Sequence, residues 1–154
     1  IAIRGPAVAK GYWNMPEATA EVFRPDGWFL SGDIGYLDED WILYVTDRKK
    51  DMIVMSGWKI YPTEVENVLL RHAAVRDAAV FGCPDERRGE MPVAAIIPRE
   101  GMSCSSEEIT EYCRKELAGY KVPRRVIITD NLPRVHGWKL LRRTLRETYC
   151  GDST

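Results

Sequence analysis

The chain has 154 residues, 22 Lys and Arg against 23 Asp and Glu, a formal net charge of -1, and 45% apolar and 29% charged residues. That is the composition of an ordinary globular protein with a real core, and the near-neutral balance argues against a nucleic-acid binder that works through bulk positive charge. No apolar run approaches the roughly 18 residues of a membrane span and no secretory leader is visible, so no transmembrane segment and a cytoplasmic location are expected.

Ile1-Ala2-Ile3 reads as the middle of a strand, so the chain is expected to be a fragment. Residues 1–46 are rich in Gly, Trp, Tyr and Asp. Short extended runs (Gly27-Trp28-Phe29-Leu30, Ile42-Leu43-Tyr44-Val45) alternate with turn chemistry (Pro25-Asp26-Gly27, Asp38-Glu39-Asp40), which predicts small hairpins at the edge of a barrel or sheet. Glu17 to Phe23 adds a helical turn or two. Asp47-Arg48-Lys49-Lys50-Asp51 is a charged run without apolar periodicity and reads as a linker or exposed turn.

The texture then changes. Met52 to Met55 is a short strand ended by Ser56-Gly57. Thr63 to Glu66 fits a capping box, with the helix running to about His72. Val75 to Gly82 is a strand, Cys83-Pro84-Asp85 a turn, and Val93 to Ile97 another strand. Ser105 to Glu108 is a second capping box. The helix behind it places Ile109, Tyr112, Cys113 and Leu117 on one face, and Gly119 stops it. Val126-Ile127-Ile128 is a further strand, and Leu140, Leu141 and Leu145 mark a final basic amphipathic helix. The fold class is α+β: a domain of about three strands and three helices over 52–154, a hinge at 47–51, and a β-rich edge of something larger over 1–46. Cys83, Cys104, Cys113 and Cys150 form no metal-ligand spacing and are expected as free thiols.

Four segments carry chemistry. They are Gly11-Tyr12-Trp13-Asn14-Met15-Pro16-Glu17-Ala18-Thr19; Trp28-Phe29-Leu30-Ser31-Gly32-Asp33; Asp47 to Ile53 with Ser56-Gly57-Trp58-Lys59-Ile60-Tyr61-Pro62-Thr63-Glu64-Val65-Glu66; and Leu132-Pro133-Arg134-Val135-His136-Gly137-Trp138-Lys139-Leu140-Leu141-Arg142-Arg143. Taken singly, each has a plainer reading. Asp33 fits a turn, Arg48-Lys49-Lys50 a solvated turn, Gly57 a strand terminator, and Lys139 one more charge at a basic helix N-terminus, where the helix dipole disfavours it. His72 and His136 have no evident partner. Arg134, Arg142, Arg143 and Arg146 are expected to face water.

In this order the four segments resemble the acyl-adenylate-forming superfamily: acyl-CoA synthetases, 4-coumarate–CoA ligases, firefly luciferase and the adenylation domains of peptide synthetases. The resemblance covers nearly the whole chain. It implies ATP, Mg2+ and CoA as cofactors and co-substrates of the full-length enzyme, and a small carboxylic acid, a fatty acid first, as substrate. It also implies a large N-terminal domain as partner, which carries the phosphate loop and the acyl pocket. Without that domain the fragment is expected to be inactive.

By the same resemblance Asp33 accepts the ribose hydroxyls of ATP and Arg48 also touches the ribose. Lys50 is the hinge about which the C-terminal domain rotates. Gly57, with Trp58 and Lys59, lies in the loop that meets the thiol substrate, and Lys139 is the catalytic lysine of adenylation. No metal ligand is expected here. Trp138 and Trp41 stand where relatives usually carry Gly, which puts competence in doubt, and Ser31 stands for the common Thr. The wording around Asp47 to Glu66 favours an acid–CoA ligase over an enzyme that loads a carrier protein. A non-catalytic lid or binding module and a nucleic-acid binder that uses the last helix are the other readings.

Overall fold

In the computed structural model, which describes residues 1–135 and 139–151, the chain divides into two units, Ile1–Lys50 and Asp51–Thr154. The first is built of short pieces. Strand β1 (Ala2–Ile3) is followed by helix α1 (Pro16–Val22), which opens on a proline whose fixed φ suits a first helical turn. Strand β2 (Phe29–Leu30) pairs antiparallel with β1. Tyr12, Phe23 and Phe29 form an aromatic chain with centroids 5.5 and 4.9 Å apart.

Strands β3 (Asp33–Leu37) and β4 (Leu43–Arg48) make an antiparallel hairpin with a bulge between Ile34 and Gly35. At its tip the Asp38 carboxylate accepts from the amides of Asp40 (3.0 Å) and Ile42 (2.8 Å). Trp41 takes the left-handed conformation (φ 62°) and stands 81% exposed. The turn closes despite the bulky residue, at the backbone cost that a glycine would avoid. No described apolar side chain in this unit is buried, and Asp47 is its one buried residue.

A 3-10 turn over Lys49–Asp51 leads into the second unit. There β5 (Ile53–Met55) and β6 (Trp58–Ile60) form a hairpin, and α2 (Pro62–Leu70) follows. The long strands β7 (Val75–Asp85) and β8 (Gly89–Pro98) pair antiparallel along nearly their whole length. After α3 (Ser106–Glu116), β9 (Arg125–Ile128) runs parallel to β8 on the edge that also meets β5 at Met55–Gly89. A small ribbon of β10 (Arg134–Val135) and β11 (Lys139–Leu140) precedes α4 (Arg142–Tyr149).

The apolar runs of β7 and β8 are buried on both faces, as expected for strands covered on two sides. Ala78, Val80, Ala94 and Ile96 join Val65, Leu69, Ile109 and Cys113 in one core beneath α2 and α3. Ala79, Phe81, Val93, Ala95 and Ile97 join Leu132 and Leu145 in a second core beneath α4. Leu145 is the buried side chain of α4. Its burial is worth about 1.5–3 kcal/mol, enough to anchor an otherwise polar two-turn helix.

The α+β class stands, with corrections of detail. The unit has more strands than expected, because β6 and the β10–β11 ribbon carry too little periodicity to be read. Helix α2 starts at Pro62, with Tyr61 as its N-cap and no side-chain cap. The Thr63–Glu66 capping box is therefore not formed, and Glu66 reaches across to the Val80 amide (2.8 Å). The Ser105 box holds in its main half, since the Ser105 hydroxyl accepts from the Glu108 amide at 3.1 Å. Helix α3 ends at Glu116, with Leu117 extended, before Gly119 is reached. Cys83-Pro84-Asp85 continues β7 and is not a turn, and Leu140 lies in β11, not in the last helix.

The cysteines need the largest correction. Cys83 and Cys150 form a disulfide, with Cα atoms 5.3 Å apart, that joins the end of β7 to the C-cap of α4. Cys104 and Cys113 are free, and burial pushes the Cys113 thiol up to about 11. The pairing spans 67 residues, so no local spacing announced it.

Candidate active site

Asp33 and Arg48 belong to two separate motifs and are register partners at the open end of the β3–β4 hairpin. Three features put them there. Gly32 (φ 77°) turns the chain into β3, and its carbonyl accepts from the Lys49 amide at 2.8 Å. The Ser31 hydroxyl accepts from the Asp33 amide at 3.1 Å. Gly35 lets the strands close, since a Cβ there would lie 2.3 Å from the Tyr44 carbonyl oxygen. Arg48 Nε then sits 3.4 Å from Asp33 Oδ1, with the arginine half-exposed. A carboxylate beside a guanidinium offers acceptors and donors to a polyhydroxylated ligand.

Gly57 lies at the tip of the β5–β6 hairpin. Ser56 (φ 50°) and Gly57 (φ 84°) form a two-residue turn with both φ values positive, the hairpin type that favours glycine. Nothing lies within 4 Å of a Cβ built on Gly57, so the residue is required by its backbone and the space above it is open. Beside it Trp58 is 59% exposed and stacks on Tyr120, with centroids 4.9 Å apart. Lys59 is exposed. Lys121 lies over the same Tyr120 ring at 5.7 Å and pairs with Glu64. That pairing raises the Lys121 pKa.

Lys139 is exposed on β11, opposite Val135 of β10, three residues before α4 begins. It therefore stands on a ribbon, clear of the helix N-terminus. Lys50 is exposed in the 3-10 turn. Trp138 and His136 lie outside the described residues.

Of the four arginines expected to face water, Arg143 does, with its side chain 90% exposed, while the other three are held more closely. Arg134 chelates Asp77, with both oxygens at 2.8 Å. Arg142 donates to Glu66 (2.7 and 2.9 Å) and to the Val80 carbonyl (3.0 Å), and pairs with Asp51 at 3.5 Å. Arg143 pairs with Glu147, and Arg146 with Glu90. His72, which had no evident partner, packs edge-on against Tyr112, with Nε2 3.7 Å from Glu108. Tyr120 and the Arg142 cluster were missed by the sequence reading. The one available signal was Glu66 in a helix that does not need it as a cap.

Among the described residues no group of three or more His, Cys, Asp or Glu side chains is arranged to hold a metal, so the Mg2+ of the resemblance finds no fitting site here. No described helix is long and apolar enough to cross a membrane. An open depression lined by Thr110, Arg114, Gly119, Val122, Pro123 and Arg124 contains none of the motif residues.

Residues 64–137 match the family described as AMP-binding enzyme C-terminal domain. This chain belongs to the acyl-adenylate-forming superfamily. It is 49% identical over 146 residues to the 2-succinylbenzoate–CoA ligase of Geobacillus kaustophilus, a match that covers 95% of this chain and 30% of that protein. It is 46% identical to the long-chain-fatty-acid–CoA ligase of Bacillus subtilis (96% and 26% covered) and 48% identical to the oxalate–CoA ligase of Arabidopsis thaliana (97% and 29%). In three dimensions it is similar to ATP-bound MatB from Rhodopseudomonas palustris (TM-score 0.91, 36% identity, 96% and 29% covered). It is also similar to the o-succinylbenzoate CoA synthetase of Bacillus subtilis in complex with its acyl-adenylate intermediate (TM-score 0.82, 43%, 94% and 29%). The chain thus spans about a third or less of the length of the relatives it matches.

Proposed function

We propose that this chain is the C-terminal part of an AMP-forming acid–CoA ligase, with residues 1–46 as the edge of the large domain and 52–154 as a lid that turns about Lys50. The full-length protein activates a carboxylic acid with ATP and passes the acyl group to CoA. The Asp33–Arg48 pair at 3.4 Å carries this reading best, because it brings residues of two separate motifs to one point. The first unit, with no buried apolar side chain among its described residues, is what the margin of a larger domain would look like.

The chemistry follows from charge. Attack of a carboxylate on the α-phosphorus brings two anions together and expels pyrophosphate. The compact ammonium of Lys139, placed among carboxylate, phosphate and ribose oxygens, stabilises the charge that develops. Asp33 accepts the ribose hydroxyls and Arg48 steadies that carboxylate. In the second step the thiol attacks the acyl carbonyl and AMP leaves. The open space over Gly57 admits the thiol's pantetheine arm, with Trp58 and Lys59 flanking it. Magnesium, required by the phosphate chemistry, is held outside the described residues. The relatives' acids differ widely at similar identity, so this stretch does not track the acid. A fatty acid is the first to assay.

The test is pyrophosphate release by the full-length protein over a panel of fatty and aryl acids, with Lys139→Ala beside the parent. Acid-dependent release that collapses in the variant, while CoA transfer from preformed adenylate survives, is the expected result. Release that is indifferent to Lys139, or absent with every acid, overturns the reading in favour of a non-catalytic module. Micromolar ATP binding by residues 1–154 alone would refute the part that makes the fragment inactive.

A further inference from the structure

The ribbon that bears Lys139 is held at both ends by arginines on one strand edge. Among the described residues β7 pairs with β8 on one side, and its outer edge presents backbone groups that need partners. At Val80 both are satisfied by an ion pair: the amide donates to Glu66 Oε1 (2.8 Å) and the carbonyl accepts from Arg142 Nε (3.0 Å). Arg142 Nη2 contacts both carboxylate oxygens of Glu66, and the Arg142 and Glu66 side chains are 18% and 13% exposed. Three residues earlier on β7, Asp77 receives Arg134, the first residue of β10. Between the ends, the Leu141 amide donates to the Pro133 carbonyl at 2.9 Å. Arg142 also reaches Asp51, the residue directly after the proposed hinge.

We propose that Arg142, seconded by Arg134, is a positioning residue for Lys139: the two guanidiniums dock the lysine ribbon on the outer edge of β7, and Arg142 ties it to the hinge-side residue Asp51. The inference rests on the proposed role of Lys139. Lys139 itself is exposed, so its own contacts fix little, and its aim depends on where the ribbon is held. A guanidinium with Nε on the Val80 carbonyl, Nη2 on Glu66 and Nη1 on Asp51 is fixed in both position and plane, which an ammonium cannot match. Arg142 and Glu66, the more buried clamp and the one nearer in sequence to Lys139, dominate; Arg134 and Asp77 are about 30% exposed and contribute less. The β5–β6 hairpin with Gly57 draws its packing from the other core, beneath α2 and α3, so the clamp bears on one half-reaction and not the other.

The experiment separates the two half-reactions in the full-length protein by single-turnover kinetics. It compares Arg142→Ala, Arg142→Lys, Arg134→Ala and Glu66→Gln with Lys139→Ala. Arg142→Ala is expected to slow adenylate formation about 10²-fold, the loss typical of a misplacement near 1 Å. KM for ATP and acid should stay within about twofold, and CoA transfer from preformed adenylate within about threefold. Arg142→Lys, which keeps the charge but not the planar set of donors, should recover less than about tenfold of the loss. Arg134→Ala and Glu66→Gln should act in the same direction with smaller size, and they decide the matter if Arg142→Ala does not fold. Both half-reactions falling together, full recovery with Lys, or unchanged adenylation overturns the clamp while a collapse in Lys139→Ala leaves the proposed function standing. Adenylation that survives Lys139→Ala overturns the proposed function itself, and the clamp with it.

Discussion

Gly35 gives the sharpest test of the nucleotide end of the site. Its backbone is not in the left-handed region, so any L residue could adopt its φ and ψ; what forbids a side chain is space. A Cβ at this position would lie 2.3 Å from the Tyr44 carbonyl oxygen, which is backbone and cannot swing aside. Carbon and carbonyl oxygen come to rest at about 3.3 Å, so in Gly35→Ala the strands must part by about 1 Å. Overpacking of this kind costs about 1–3 kcal/mol. The same displacement carries the Asp33–Arg48 contact from 3.4 Å to beyond ion-pair reach. ATP affinity of the full-length protein should fall about tenfold, or about 1.4 kcal/mol, read from ATP–pyrophosphate exchange at saturating acid with a thermal melt of each protein alongside. A variant that melts lower yet keeps its KM for ATP within about twofold would refute the assignment of the pair to the ribose. A variant unchanged in both would refute the close approach itself.

At Gly57 the position is reversed: an alanine meets no atom within 4 Å but must adopt φ near 84°. Gly57→Ala should cost about 1–2 kcal/mol and slow CoA transfer while leaving pyrophosphate release intact. Without reductant, iodoacetamide should label Cys104, slowly because burial and Glu108 raise its thiol pKa, and spare Cys83 and Cys150, which are joined, and Cys113, which is buried with its thiol pushed up to about 11; intact mass reads the adduct count. Reduction should then lower stability by about 2–4 kcal/mol, seen as a drop in the urea midpoint. Lys121 has a raised folded-state pKa from its bond to Glu64. Its contribution is therefore complete below the unfolded lysine value of about 10.4 and fades as pH rises through the folded value. The difference in melting temperature between the parent and Lys121→Met should accordingly be constant from pH 6 to about 9 and shrink only as pH climbs beyond the unfolded lysine value of about 10.4.

Local chemistry made much of this legible. The Ser105 cap, the apolar runs of β7 and β8, the helical spacing of Ile109 and Cys113, and the four ordered motifs all lie within short windows, where propensity and periodicity act. What escaped depends on distance in the chain. Glu66 looked like a cap because its helix neighbours are visible in sequence and Val80 is not. Arg142 looked solvated because its partners sit 62, 76 and 91 residues away. Cys83 and Cys150 meet only after β7 and α4 have packed, through Phe81, Leu145 and their neighbours. Each such contact follows from the sheet's assembly, which no window of residues encodes.

The same assembly explains how about a hundred residues can hold two chemical tools apart. Alternation along β7 and β8 sends Val80 and Ile96 into one core and Phe81 and Ile97 into the other. Ile53, Met55 and Ile60 bind the Gly57 hairpin into the first; Leu132, Leu140 and Leu145 bind the flanks of the Lys139 ribbon into the second. Each loop is anchored by its own set of apolar contacts. Both strands serve both cores, and on β7 Val80 turns its side chain to one core while its backbone holds Arg142 for the other loop. On the proposed function, substitutions in either loop should act mainly on one half-reaction, and changes along β7 or β8, which line both cores, should act on both.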